Sequence, residues 1–581
     1  MATCRRHRHH SDVVASLVVL ACVIALSSPA GAQTDFHVVA RSGQQLPGFN
    51  EPLQDFAFPP PLINDAGEVA FVARPQSAPG AEGPWGLFIG APGGAGLRPV
   101  VRTGDQAPGG VTGVSFYFPN PVQLGNDGRV LFTANLQGPG VTTANSSGIW
   151  LGPPALLPVS PQPIARQGNA AAGFDPGTTY RSFGEPRRGG GNVIFAGLTA
   201  TGLLTSGDSA IWGGPPGAIG VIARQGQLAP GVIDAVYGDL GSAGVAANAT
   251  GLVIFNASLA DPIDPQASRG QGLWIGTPAA PVLIARTNQP AHGLVGLTLQ
   301  AIFPATINRA GSIAFTGSVG NYIAPDNSTY DDLVLYAGTP GNFQPLARTG
   351  QAAPGTPAGT VFLGENAFGH GKGAFFQPFV GGGGHVAFRG LVGPASGGED
   401  LDHNDGLWLA SPGGATLRLI AREGDPAPGA PAGTRFYNDN NSDTDFYAPT
   451  FTDPAVNTLG QLVFGGSYAP TPDGPYTAGV WAADPSGNVE LLFRAGQLID
   501  LGDGLSHELA SWTIRSAGSA AEDGQPYEFN DAGQFAFAAM FTDGTSAVLL
   551  ATVPEPAGMT VGLTLLAAAA VAIRPRRISS R

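Results

Sequence analysis

An eightfold internal repeat constrains the fold of this chain more than any other feature of its sequence. The run from Asn64 to Phe71, NDAGEVAF, recurs in degraded form, and successive copies of its Phe are 60 to 76 residues apart. Self-similarity at such a period is typical of solenoids and propellers. In every copy a Gly stands four residues before the Phe, and the eight pairs are Gly67 and Phe71, Gly128 and Phe132, Gly191 and Phe195, Gly251 and Phe255, Gly311 and Phe315, Gly384 and Phe388, Gly460 and Phe464, and Gly533 and Phe537. The Asn seven residues before the Phe is present in five copies: Asn64, Asn248, Asn308, Asn457 and Asn530.

Each copy carries two further elements that indicate strands. A small residue, an aliphatic residue and an aromatic one follow the Phe, as in Gly148-Ile149-Trp150, and an apolar pair then precedes an Arg, such as Arg224. The residue two after that Arg is Gly in seven copies and Asn288 in the other, and these two types best tolerate a positive φ. Apolar residues alternate along each element with the period of a strand. With Asn-x-x-Gly as a hairpin turn, each unit is predicted to contain four short strands.

The order of the elements at the two ends of the repeat region predicts a closed ring. The first element, 36–41, is a lone fourth strand, and the last unit stops near Leu550 without its fourth strand. The N-terminal strand can therefore complete the last blade, and closure removes the exposed edges of an open array. We predict an all-β, closed eight-bladed β-propeller of four-stranded blades over residues 33–552. The composition agrees, because 43% hydrophobic and 12% charged residues exclude a disordered chain despite 87 Gly and 52 Pro.

Residues 1–32 are predicted to be a secretory signal peptide. Three arginines precede the apolar run 13–26, and an Ala-Gly-Ala cleavage site ends at residue 32. Both cysteines, Cys4 and Cys22, lie in this leader. The mature chain is therefore predicted to be exported and to use neither disulfides nor thiol chemistry.

Residues 553–581 form a second terminal segment with three parts. A Pro-Glu-Pro motif precedes a short apolar stretch, 557–573, and an arginine cluster follows; the motif and cluster residues are Pro554, Glu555, Pro556, Arg574, Arg576 and Arg577. The stretch is barely long enough to span a bilayer, and its basic flank marks the cytoplasmic side. This ending resembles the PEP-CTERM sorting signal of bacterial surface proteins. The resemblance implies a short transmembrane helix, transient anchoring in the inner membrane, processing by an exosortase-type transpeptidase and delivery to the cell surface or extracellular matrix. A retained C-terminal anchor is the alternative.

The repeat itself resembles the NxxGxxAF tandem repeat of bacterial surface proteins, over roughly residues 36–551. The Gly and the Phe match in all eight copies, whereas Gly125, Arg188 and Gly381 replace the Asn in copies two, three and six. More distantly, the units are similar to the blades of Tol-type periplasmic propellers. The resemblance implies a surface protein and adds no catalytic residue.

Charge excludes one large class of partner. The net charge is −14, and both terminal segments are basic, so the repeat region is more acidic still. Nucleic-acid binding requires a basic footprint that can release counterions. We therefore expect no nucleic-acid partner.

Departures from the repeat are the better candidates for a site. Copies six and seven are longer and contain acidic loops, with calcium-type oxygen ligands at Asp400, Asp402, Asp439, Asp443 and Asp445. Neither loop has the Glu at position twelve of an EF-hand, so a solvated polar loop is the alternative. No cofactor other than calcium is indicated, and no linear catalytic motif is present.

These observations predict a non-catalytic surface or matrix protein. We expect no enzymatic activity and a propeller face that binds extracellular polysaccharide or another surface protein. Two alternatives stay open, because carboxylates from different blades can meet on a propeller. One is a propeller enzyme acting on extracellular polysaccharide, with Asp400, Asp402 or Asp443 as its carboxylates, and the other is a structural coat protein.

Overall fold

A computed structural model describes most of the repeat region. It covers residues 34–553 except 57–58, 76–83, 111, 155–159, 202–207, 324–328, 365–374, 397–401, 439–449 and 515–525. The predicted signal peptide and the sorting residues Pro554, Glu555, Pro556, Arg574, Arg576 and Arg577 lie outside the described residues. So do four of the five predicted calcium ligands, Asp400, Asp439, Asp443 and Asp445.

The described chain consists of thirty-nine strands and two single 3-10 turns, Pro92–Gly94 and Pro412–Gly414. The N-terminal strand and blades one to four contain β1 (Phe36–Arg41), β2 (Leu53–Phe56), β3 (Leu62–Ile63), β4 (Val69–Pro75), β5 (Gly86–Ala91), β6 (Ala95–Arg102), β7 (Ser115–Leu124), β8 (Val130–Gln137), β9 (Ser147–Leu151), β10 (Gln162–Arg166), β11 (Thr178–Phe183), β12 (Arg187–Gly189), β13 (Asn192–Thr201), β14 (Ser209–Gly214), β15 (Gly220–Arg224), β16 (Val236–Tyr237), β17 (Val245–Ala247), β18 (Val253–Ala260), β19 (Ser268–Thr277) and β20 (Ala280–Arg286).

Blades five to eight contain the remaining nineteen strands. They are β21 (Ala301–Ile302), β22 (Thr306–Ile307), β23 (Ile313–Ile323), β24 (Thr329–Thr339), β25 (Asn342–Arg348), β26 (Thr360–Phe362), β27 (Phe375–Val380), β28 (Val386–Pro394), β29 (Asp405–Ala410), β30 (Leu417–Arg422), β31 (Arg435–Phe436), β32 (Ala455–Val456), β33 (Leu462–Ala469), β34 (Thr477–Ala483), β35 (Val489–Arg494), β36 (Leu498–Asp500), β37 (Ser506–Thr513), β38 (Gln534–Phe541) and β39 (Ser546–Thr552).

These strands form eight antiparallel sheets, one per repeat, and the predicted eight-bladed propeller is confirmed. Within a blade, consecutive strands pair in order, as in β16-β18-β19-β20. The prediction of four strands needs one refinement, because the first strand of most blades is split into two segments that pair with the same second strand. The second segments of neighbouring blades contact each other, as β12 contacts β17 and β22 contacts β27, so the first strands lie innermost.

The N-terminal strand closes the ring as predicted. β1 pairs antiparallel with β39, from Phe36 opposite Ala551 to Arg41 opposite Ala547. The strand order of blade eight is therefore β1-β39-β38-β37-β36, with the two ends of the repeat region in one sheet. No edge of β39 is left open to pair with another chain.

The repeated aromatics form the core between the blades. In seven blades the repeated Phe stacks on the aromatic residue of the third strand, as Phe255 stacks on Trp274 with ring centroids 5.7 Å apart. All five tryptophans at this position are fully buried, and each indole N–H donates to a backbone carbonyl in the loop leading into its blade. Large aromatics bury the most apolar area per residue, which explains their recurrence.

The Asn-x-x-Gly motif forms the predicted turn and also joins the blades. In seven copies the Gly N–H donates to the carbonyl three residues earlier, as Gly67 does to Asn64 at 3.0 Å, and the Gly has positive φ in all eight. The side-chain amide of each of the five repeated Asn residues donates to the same turn of the next blade, at 2.9 to 3.3 Å. Asn530 reaches Asn64 in this way across the closure of the ring. Because all five side chains are buried, the lost hydration of each amide is offset by these hydrogen bonds.

The Arg-x-Gly element also has its predicted backbone conformation. The residue two after each repeated Arg has positive φ in all eight copies, and Asn288 at +61° is the only such non-glycine residue among those described. The arginines lie on the fourth strand, far from the ring centre, and most pair within their own blade. Arg348 with Asp332 at 2.6 Å and Arg224 with Asp208 at 2.7 Å are examples.

A charged network holds the N-terminal strand to blade eight. Arg41 on β1 forms an ion pair with Asp503 at 2.9 Å. Asp503 and Asp543 flank the ring of His507, at 3.2 Å from Nε2 and 2.7 Å from Nδ1. Thr545 Oγ1 lies 3.2 Å from the same Nδ1. The His507 side chain is buried, so this network is part of the seam rather than of the surface.

The described residues contain no helix that is long and apolar enough to cross a membrane. The predicted membrane segment, 557–573, belongs to the residues that are not described.

Candidate functional site

The first strands of blades six, seven and eight are interrupted by the longest insertions. The interruption in blade six lies between Phe362 and Phe375, and that in blade seven lies between Phe436 and Ala455. In blade eight it lies between Thr513 and Phe529, which forms an isolated β-bridge. In blade five, by contrast, the two segments are separated by only 303–305. Because insertions in a repeat fold are where function is usually added, this sector of the ring is the first place to look for a site.

A cavity of about 520 Å³ lies in this sector, between blades seven and eight and against blade six. Its volume is in the range of small-ligand sites. Its wall combines charged, hydroxyl and aromatic groups with several small residues, and includes Arg389, Thr452, Asp453, Ser467, Trp512 and Ile514.

Two carboxylates flank Arg389 at the cavity, and a third lies behind one of them. Its guanidinium lies 3.8 Å from Asp405 and 3.9 Å from Asp453, and its Nη1 donates to the Phe451 carbonyl at 3.2 Å. Asp453 is the partly exposed member, at 14% of its side-chain surface, whereas Asp405 is completely buried. The site therefore has one carboxylate at the cavity wall and others behind it.

The third carboxylate belongs to Glu423, next to the repeated Arg of blade six. Its Oε1 accepts a hydrogen bond from Thr450 Oγ1 at 2.6 Å, and its Oε2 accepts one from the Asn404 N–H at 3.1 Å. Asp405 Oδ2 accepts from the backbone N–H groups of Thr450 and Phe451 at 3.0 and 3.3 Å, while its Oδ1 is buried without a hydrogen-bond partner among the described residues. A buried acceptor left without a donor is costly, so the arrangement is not one that folding alone favours.

Both buried acids bind protons more tightly than in water. Burial raises the pKa of Asp405 to about 6, although Arg389 opposes this shift. Burial also raises the pKa of Glu423 to about 8; the hydrogen bond from Thr450 opposes the shift and the charge of Asp405 adds to it. Near pH 7 the two carboxyls therefore share one proton, and the charge behind Arg389 changes across the neutral range.

The same positions in the other blades hold uncharged residues. Where blade six has Glu423, the other seven copies have Ser42, Thr103, Gln167, Gln225, Thr287, Thr349 and Ala495. The six polar ones each accept a backbone N–H from the start of the third strand, as Thr287 does from Gln271. Where blade six has Arg389, the others have Val72, Thr133, Ala196, Asn256, Thr316, Gly465 and Ala538. The charged cluster is thus an addition of blade six to a neutral structural position.

Sequence reasoning missed these residues. Of the predicted calcium ligands, only Asp402 is described, and its side chain is exposed three residues before Asp405. Within the described ranges, no three His, Cys, Asp or Glu side chains are grouped so as to hold a metal ion. An alignment of the eight copies would have found Arg389 and Glu423, because each is the only charged residue in its column.

The chain is capable of acid–base chemistry at this cavity. A carboxyl at a cavity wall can exchange a proton with a bound ligand within hydrogen-bond reach. Asp453 presents a carboxyl to the cavity, Arg389 provides a fixed positive charge, and Trp512 provides an aromatic surface. Behind the wall, Asp405 lies 3.8 Å from Arg389, and the charge of Asp405 acts in turn on Glu423.

Comparison with known proteins gives one family and a set of similar folds. The profile of a family of unknown function (DUF7453) matches residues 26–188, 160–275 and 265–560. No curated protein matches the sequence significantly. The ring is similar to the β-propeller domain of the trilobed protease from Pyrococcus furiosus, at 10% identity and a TM-score of 0.32 over 77% of this chain and 96% of that one.

Two further similar structures are carbohydrate-active enzymes. An ulvan lyase has 8% identity and a TM-score of 0.29 over 77% of this chain and 95% of that one. An α-L-arabinofuranosidase from Fusarium graminearum has 11% identity and a TM-score of 0.27 over 64% and 90%. Likenesses at this level concern the fold and identify neither an activity nor a substrate.

These matches correct the prediction that the chain is not an enzyme. A lyase and a glycosidase are among the propellers of similar fold. The prediction was wrong for a physical reason. It rested on the lack of a linear motif, whereas charged side chains such as Arg389 and Asp453 come from separate blades and meet only in the folded ring.

Proposed function

The chain belongs to the DUF7453 family of unknown function, and we propose that it is a propeller enzyme that cleaves extracellular glycans at the cavity of blades six to eight. One observation carries this proposal. Arg389 and Glu423 replace neutral residues of the repeat and, with Asp405 and Asp453, form a charged cluster beside a cavity of ligand size. Structural demands shared by all blades do not explain a cluster that is formed at one place in the ring, where blade six meets blade seven.

Each group at the cavity has a role in glycan cleavage. Asp453 takes a proton from the water that attacks the anomeric carbon and passes it to the leaving glycosidic oxygen as the C–O bond breaks, because its carboxyl is the one at the cavity wall. Arg389 holds the Asp453 carboxylate and orients a sugar hydroxyl, and Trp512 stacks on a sugar ring. Asp405 and Glu423 are positioning residues that act through Arg389.

The predicted localisation of the protein supports an extracellular substrate. The signal peptide, residues 1–32, and the PEP-CTERM-like tail, residues 553–581, would deliver the ring to the cell surface or matrix, with an exosortase-type transpeptidase as the processing partner. A polysaccharide is the abundant polymer that an exported protein meets there. The body is acidic, and a nucleic acid is therefore a poor ligand for it.

The test is glycan turnover by the full chain and by Asp453→Asn. We expect the purified protein to release new chain ends from at least one extracellular polysaccharide, and Asp453→Asn to lower kcat/KM by about 10²-fold or more, the usual contribution of an acid–base group. The measurement is reducing-end release, with ultraviolet absorbance for an unsaturated product. The variant changes one oxygen to an amide nitrogen, so its melting temperature should stay close to that of the wild type.

A matched control is Asp264→Asn on blade four. Asp264 is exposed and far from the cavity sector in the repeat, and its variant should retain full activity. Specific glycan binding without any turnover would overturn the enzymatic assignment. Turnover that Asp453→Asn leaves unchanged would remove the active site from this cavity.

A further inference from the structure

Among the described residues, the charges around the cavity are unbalanced toward the negative. Arg389 is the only cationic residue among the described residues that line it. Its guanidinium lies between Asp405 at 3.8 Å and Asp453 at 3.9 Å, so its charge is already engaged by two carboxylates. Asp405 and Glu423 together carry one negative charge near pH 7, so with Asp453 two carboxylate charges face the single positive charge of Arg389.

A second anion brought into this site would be repelled. Two like charges held close together repel each other more strongly near a protein surface than in bulk water, because the effective dielectric constant is lower. A substrate carboxylate or sulfate that reached Arg389 would also have to displace Asp453, because both would use the same guanidinium. At longer range, a chain with a net charge of −14 disfavours the approach of a polyanion.

The rest of the wall suits an uncharged sugar. Gly465, Gly466 and Gly479 keep it flat, and a Cβ at Gly465 would lie 2.9 Å from Thr452 Cγ2. The Trp512 ring is held edge-on against Phe493, with centroids 5.2 Å apart. Apolar surface with a few fixed polar groups is the usual lining of a site that binds the C–H faces and hydroxyls of a neutral ligand.

We infer that the glycan cleaved in this cavity is free of anionic groups, so that polyuronates and sulfated polysaccharides are excluded. This inference rests on the proposed function and specifies its substrate class. Uncharged and amino-sugar polymers satisfy it, because neither brings a second negative charge beside Asp453.

The test uses pairs of polymers that share a backbone and differ in charge. Suitable pairs are fully methyl-esterified against de-esterified polygalacturonan, cellulose against carboxymethylcellulose, and desulfated against sulfated galactan. We expect the full chain to cleave the uncharged member of its substrate pair at least 10-fold faster at low ionic strength. The ratio should shrink as salt is added, because salt screens the repulsion.

Binding to Asp453→Asn gives a second measurement. Removing this negative charge should tighten binding of the anionic member several-fold by calorimetry, whereas Asp264→Asn should leave it unchanged. The inference would be overturned if the wild type cleaved the anionic member as fast as the uncharged one or faster. If Asp453→Asn abolished that cleavage, the proposed function would still stand. If neither member of any pair is cleaved, the inference and the proposed function are both overturned.

Discussion

At the scale of single residues, the aromatic ring of the third strand depends on a glycine two residues before it in five blades, whereas blades three and five have Ala210 and Val334 at that position. A Cβ added at Gly272 would lie 2.3 Å from the Trp274 ring, and one at Gly148, Gly406 or Gly479 would lie within 2.7 Å of the corresponding tryptophan. None of these glycines has positive φ, so the requirement is for space and not for backbone freedom. The small residue of the repeat is thus selected by the ring that follows it.

Gly272→Ala should therefore destabilise the protein by about 1–3 kcal/mol, the usual cost of overpacking a core. The measurement is a chemical denaturation midpoint or a melting temperature. Gly220→Ala is the matched control, since a Cβ there meets no atom within 4 Å and Gly220 is also in a strand. Equal stability of the two variants would contradict this account of the repeat.

The buried acids give a prediction about pH. The unfolded Glu423 ionises near pH 4.5, whereas the folded pKa is about 8, so the folded state holds a proton that the unfolded state loses between these values. Stability therefore falls as the pH rises from about 4.5 to 8. Glu423→Gln removes this group, and the variant should gain stability relative to the wild type across this window, by up to a few kcal/mol.

Thermal melting at pH 5 and pH 8 measures the effect. The amide can meet both present contacts, because Gln accepts from the Asn404 N–H and donates to Thr450 Oγ1. Glu490→Gln, at an exposed position, is the control, and its melting temperature should follow that of the wild type at both pH values. If the difference in melting temperature between Glu423→Gln and the wild type is the same at pH 5 and pH 8, Glu423 is not buried in a protonated state.

At the scale of elements, side-chain contacts hold the N-terminal strand β1 to blade eight in addition to its backbone pairing with β39. Burial alone would lower the pKa of His507, but its hydrogen bonds to Asp543 and Asp503 outweigh this and hold the pKa above 6.5. The hydrogen bonds of Asp543 lower the pKa of its carboxyl to about 2. A protonated imidazole between two carboxylates, one of them paired with Arg41, ties β1 to blade eight.

The contribution of this network should be present at mildly acidic pH and lost at alkaline pH. A His whose folded pKa is raised stabilises the fold fully below 6.5, and the effect disappears as the pH rises through the folded value. His507→Gln should lower the melting temperature by roughly 1–3 °C at pH 5 and by much less at pH 9. Differential scanning calorimetry at both pH values checks this.

His292 provides the opposite control. Burial lowers its pKa, so protonation at low pH favours the unfolded state and lowers the stability of the wild type. His292→Gln should therefore be more stable relative to the wild type at pH 5 than at pH 9. Proteolysis near residues 34–44 in His507→Gln, followed by mass spectrometry, locates the weakened element. A melting difference that is the same at pH 5 and pH 9 would show that His507 only fills space.

The strands that could be predicted from sequence are those whose turn and core residues recur in every blade. Turn residues such as Gly67 and core residues such as Phe255 recur because every blade needs the same conformation and the same packing. The split of the first strands could not be predicted, since insertions such as 303–305 differ between blades and carry no common pattern. The site could not be predicted for the same reason, because Arg389 and Asp453 belong to no motif and only the ring brings them together.

At the scale of the whole molecule, the ring is closed by three sets of contacts. β1 supplies the fourth strand of blade eight, the charged network around His507 fastens it, and Asn530 donates to the Asn64 carbonyl on the inner side. The closure also bears on the site, because the cavity lies between blades seven and eight. A blade eight without its fourth strand would leave one wall of the cavity without support from β1.

Ring closure also sets the order in which the chain can finish folding. The partner of β1 at Ala547–Ala551 is synthesised more than 500 residues after it, a delay of roughly 25 to 100 s at ordinary rates of translation. Blades one to seven can assemble from neighbouring sequence while the ribosome is still at work, but β1 has no sheet to join until the last hairpin emerges. The first strand of the ring to be made is therefore the last to be paired, and its unpaired lifetime is the period in which a chaperone or export machinery could still hold the chain open.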